Sequence, residues 1–96
     1  MQPRHVFLSH AWADKVEIDV LRRTLEAHGI VVWVDTREIT AGRPLSAELR
    51  AKIEAARAFL VLLTPSALAS PWVAKELTLA KKVASKVDGY RVIPIV

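Results

Sequence analysis

The chain has 96 residues, 52% of them hydrophobic, a formal net charge of +4 and no cysteine. That length holds one domain with a real core and is too short for two; its short apolar runs fall well below the ~18 consecutive apolar residues of a membrane span, and the lack of cysteine removes disulfides, cysteine-bearing zinc sites and thiol catalysis. The basic excess includes Arg22-Arg23 and Lys81-Lys82, pairs inside helical patterns with no aromatics interleaved, so it reads as solvated helix surface rather than a nucleic-acid site.

In chain order, residues 1–5 hold no apolar helical stretch and no small-residue cleavage site, which argues against a secretory signal and favours a cytoplasmic setting. Val6-Phe7-Leu8, closed by Ser9-His10, reads as a buried strand. Asp14 stands three residues before Glu17, the spacing of a capping box, and predicts a helix start there. Ile18, Leu21 and Leu25 recur at helical spacing, and Gly29 supplies the residue that ends a helix in a left-handed conformation. Residues 30–34 are β-branched and apolar, which predicts a strand covered on both faces. Residues 36–45 turn polar, with Gly42 and Pro44 as breakers, and form a loop.

Leu49, Ile53 and Ala56 mark a second amphipathic helix from about Ser46, and residues 58–63 a third strand closed by Thr64-Pro65-Ser66. Ser70-Pro71 is a helix entrance, serine as cap and proline where its missing N–H costs nothing, and predicts a third helix to about Lys86. Asp88-Gly89 is a turn before a fourth strand over residues 91–96, in which Pro94 cannot donate to a ladder. Strands alternating with helices over short connections make the class α/β with a parallel sheet. The chain stops inside an apolar strand, so the domain is expected to be incomplete at its C-terminal side.

Ligands of an open parallel sheet gather at the carboxyl ends of its strands. Ser9, His10 and Trp12 follow strand one, Trp33 and Asp35 close strand two, and Trp72 and Glu76 open helix three. Trp72 and Glu76 are four apart, on one helical face. An aromatic ring there can stack on a nucleotide base, and a carboxylate beside it can stabilise the cation that forms as a glycosidic bond breaks. The competing reading makes all three tryptophans core packing and Glu76 a solvated first-turn glutamate that complements the helix dipole. His5, His10 and His28 lie on separate elements without paired ligand spacing, so no metal is expected. The first turn, Ser9-His10-Ala11-Trp12-Ala13-Asp14, has no glycine, against a Walker loop or a dinucleotide fingerprint.

These segments, in this order, resemble a TIR (Toll/interleukin receptor) domain. Val6-Phe7-Leu8-Ser9-His10 is similar to the family's first box, and Gly29-Ile30-Val31-Val32-Trp33-Val34-Asp35 to its second strand. Residues 37–45, with Arg37, Ile39, Gly42, Arg43 and Pro44, are similar to its self-association loop. Ser70-Pro71-Trp72-Val73-Ala74-Lys75-Glu76-Leu77 resembles the Trp-x-x-x-Glu helix start of NAD-cleaving bacterial members, and residues 91–96 resemble the fourth strand.

The resemblance implies one TIR domain over residues 1–96 with a flavodoxin-like parallel sheet, order 2-1-3-4-5, helices on both faces, and the last strand and helices lacking. It further implies an NAD glycohydrolase acting in signalling or antiviral defence, with NAD as substrate and no cofactor, and with Glu76 catalytic. Trp33 or Trp72 would stack on a ring, His10 and Trp12 line the pocket with Asp35 beside them, and Ser9 hydrogen-bond the nucleotide. Its partners would be other TIR domains and a sensor domain, fused or separate. The alternative is a non-catalytic interaction module working through the loop.

Overall fold

A computed structural model describes residues 5–34 and 45–96. Four parallel strands, β1 (Val6–Ser9), β2 (Val32–Val34), β3 (Ala58–Leu62) and β4 (Arg91–Ile95), form one sheet in the order β2-β1-β3-β4. The helices α1 (Lys15–Ala27), α2 (Ala47–Ala55), α3 (Pro65–Leu68) and α4 (Pro71–Lys86) make the connections that parallel neighbours require. The order matches the predicted one for the four strands present.

The register explains the core. Phe7 of β1 lies opposite Trp33 of β2 and Phe59 of β3, so three aromatic rings stack across the sheet at centroid separations of 5.3 and 5.5 Å. Alternation along a strand puts Ser9 on this same face and Val6 and Leu8 on the other; in α1 the buried residue is Ile18. On the aromatic face, Leu49 and Ile53 of α2 and Val73, Ala80 and Val83 of α4 close the main cluster. The edge strand β4 adds half-buried Val92 to it and leaves Ile93 exposed.

Local chemistry sets the boundaries, in places differently from the sequence expectation. Ser46 and Ser70 cap α2 and α4 by accepting from the amides of Leu49 and Val73, and Gly29, at φ 79°, takes the left-handed conformation past α1. Asp14 precedes α1 but makes no side-chain cap; a single 3-10 turn, Trp12–Asp14, leads in, and the Asp14 carboxylate instead accepts from the Thr64 hydroxyl. Thr64 in turn caps α3, a short helix that the Thr64-Pro65-Ser66 closure did not foretell. β2 is shorter than residues 30–34 and only half-buried, because it is an edge strand, covered less than a two-faced interior strand would be.

Tyr90 ties the start of β4 to α2: it is buried and its hydroxyl donates to the Ile53 carbonyl at 2.9 Å. Burial pushes its phenol up to about 12. A pKa raised in the folded state means that the neutral phenol contributes stability in full below the ordinary value of ~10, and that this contribution is lost as pH rises through about 12. Tyr90 is the chain's one tyrosine, so absorbance at 295 nm follows it alone. Its ionisation is expected to track alkaline unfolding between those two pH values, and Tyr90→Phe to cost about 1 kcal/mol at neutral pH. Free ionisation near pH 10 in folded protein would contradict the burial.

Candidate functional site

The buried stripe of α4 runs Val73, Glu76, Ala80, Val83, the three-four spacing of a helix face laid on a core. Its second member is a carboxylate. Glu76 is 1% exposed, and among the described residues it and Ser9, also 1% exposed, are the buried polar or charged side chains. The two meet: the Ser9 hydroxyl donates to Glu76 Oε1 at 2.7 Å. A carboxyl group taken out of water is costly and persists where hydrogen bonding compensates it or where its chemistry is required. Leu77, the next residue, is only partly buried, so burial has fallen on the acid and not on the leucine beside it.

Ser9 ends β1, an inner strand whose four residues are all buried, at the carboxyl edge of the sheet. Glu76 lies in the second turn of α4, one turn after Trp72. The link between Asp14 and Thr64 holds the exit of β1 to the exit of β3 on the same edge. The expected meeting of strand-one residues with the start of the last helix is therefore realised, with Ser9 and Glu76 as its centre.

The other expected residues divide. Trp33 is half-buried, stacked on Phe7 and packed on the core, and Trp72 is half-buried against the same cluster; for these two the packing reading describes what is seen. Trp12 stands apart, 55% exposed with the Lys15 ammonium 4.4 Å from its ring centroid. His10 is half-buried next to Ser9. Asp35 and the loop residues Arg37, Ile39, Gly42, Arg43 and Pro44 lie outside the described residues. Glu76 is not the solvated helix residue of the competing reading.

Sequence inspection missed the pairing of Asp14 with Thr64 and the depth of Glu76. The second was detectable: 73, 76, 80 and 83 form one helical stripe, and an acid within it is anomalous. No group of three or more His, Asp or Glu side chains among the described residues is arranged to hold a metal, and the His5 and His28 rings lie within hydrogen-bond distance of the carbonyls of Lys52 and Thr24. No helix among the described residues is long and apolar enough to cross a membrane.

Comparison with known proteins gives a concordant result. The family model described as TIR domain matches residues 6–96. The chain is 33% identical over 76 residues to the NAD(+) hydrolase PdTIR of Paracoccus denitrificans (strain Pd 1222), a match spanning 78% of this chain and 25% of that relative. Among solved structures it is similar to the TIR domains of the activated Roq1 resistosome that recognises the effector XopQ. There the TM-score is 0.78 and the identity 25%, over 96% of this chain and 56% of that one. It is also similar in fold to the TIR domain of the Toll-related receptor TRR-2 from Hydra magnipapillata, with a TM-score of 0.76 and 23% identity, covering 98% of this chain and 70% of that one.

Proposed function

From a chain that belongs to the TIR domain family, we propose an NAD glycohydrolase whose catalytic carboxylate is Glu76. The observation that carries this is the acid at 1% exposure in the buried stripe of α4, hydrogen-bonded to the end of β1. The relative named an NAD(+) hydrolase supports it; this chain spans a quarter of that protein's length.

In the proposed reaction the bond between nicotinamide and C1′ of the ribose breaks and its electron pair leaves with nicotinamide, which departs neutral. The ribose is left as an oxocarbenium ion. Glu76, beside it, stabilises that cation and orients the ribose; water adds to C1′ and loses a proton, giving ADP-ribose. Electrostatic stabilisation of this kind is strongest in a site that excludes water. Half-buried Trp72, one turn before, and His10, next to Ser9, flank the same edge.

A carboxyl at 1% exposure meets a ribose only after its neighbours shift. We therefore couple turnover to TIR–TIR assembly, in a cytoplasmic signalling or defence response. The exposed strip of Trp12, Val16 and Val20 on and before α1, spaced four apart, supports an associating surface. The test is incubation of the assembled, full-length protein with NAD and an assay of free nicotinamide. Wild type is expected to release it and Glu76→Ala to release at least tenfold less, about 1.4 kcal/mol of barrier. Equal turnover by the two proteins removes Glu76 from the chemistry.

A further inference from the structure

We propose that Ser9 is a positioning residue that aims the Glu76 carboxylate, acting through that side chain and not by contact with substrate. The proposal rests on the reading of Glu76 as the catalytic acid. A serine hydroxyl carries one proton. In Ser9 that proton is given to Glu76 Oε1 at 2.7 Å, in a pair of side chains each 1% exposed, so it is already committed when a nucleotide arrives. This differs from the expectation that Ser9 bonds the nucleotide itself.

The placement suits an anchor. Ser9 is held by register on an inner strand, opposite Val61 of β3, and β1 is buried along its whole length. Glutamate has several rotatable bonds and loses considerable side-chain freedom when fixed. One oxygen pinned to a rigid strand leaves the carboxylate a narrow range of orientations, and misplacement of a reacting group by about 1 Å can cost on the order of 10²-fold in rate.

The experiment measures nicotinamide release from NAD by the assembled full-length protein as wild type, Ser9→Ala, Ser9→Cys and Glu76→Gln, with NAD binding measured for Glu76→Gln and the Ser9→Ala/Glu76→Gln double variant. Ser9→Ala is expected to lower kcat by about tenfold or more with KM within about twofold, as for supporting residues behind a reactive group. Ser9→Cys, which keeps a weak donor, should fall between wild type and Ser9→Ala. NAD affinity should be equal in the two Glu76→Gln proteins. A raised KM with unchanged kcat, or weaker NAD binding in the double variant, overturns the proposal in favour of direct contact, and unchanged activity overturns it outright. Wild type without turnover removes the glycohydrolase reading itself, whereas active wild type with an equally active Ser9→Ala protein removes only the role of Ser9.

Discussion

Phe7→Ala is expected to remove a large share of the domain's stability. Phe7 is fully buried on an inner strand, between Trp33 at 5.3 Å and Phe59 at 5.5 Å. Truncating a buried phenylalanine costs about 3–5 kcal/mol through lost transfer energy and the cavity left behind, and two ring pairs, each worth about 0.5–1.5 kcal/mol, put Phe7 at the upper end of that range. Against a total of about 5–15 kcal/mol for a domain of ordinary stability, that loss is a third of the total or more. Urea unfolding should show a midpoint moved to much lower denaturant for Phe7→Ala, and tryptophan fluorescence should shift as Trp33 loses its ring partner. A loss below about 1 kcal/mol would mean that the ladder is not the centre of the core.

Glu76→Gln is expected to separate activity from stability. The amide can still accept from Ser9, keeps the side chain's shape and removes the charge. Loss of one preorganised electrostatic group typically lowers kcat by about 10²–10³-fold, and that range is expected here. Stability should be unchanged or higher, because a buried ionisable group is costly to hold and sites kept for chemistry trade stability for function. Thermal unfolding of both proteins checks this. A Glu76→Gln protein destabilised by several kcal/mol would identify the carboxylate as a structural support.

Much of the fold was legible because its signals are local. Ser46 and Ser70 cap where their side chains predict, Gly29 turns left-handed after α1, and the alternation of strands and helices yields the parallel order that is seen. The Asp14 cap was misread because sequence spacing cannot see Thr64, fifty positions away, competing for the same carboxylate. Residues 30–34 read as an interior strand since β-branched composition reports burial tendency and not position in the sheet; β2 lies at an edge. At the site, the meeting of Ser9 with the start of α4 followed from the carboxyl-edge rule, but the state of each side chain did not. Four-residue spacing placed Trp72 and Glu76 on one face without saying that both turn inward, the indole to half-burial and the acid to 1% exposure.

A single-turnover time course, with assembled protein in excess over NAD, isolates bond cleavage from product release and so tests most directly whether the buried acid of α4 drives the reaction. Nicotinamide released by wild type within the first turnover, and at least ~10²-fold more slowly by a Glu76→Gln protein of matched thermal stability, is the predicted result. Release at the same rate by both would contradict it.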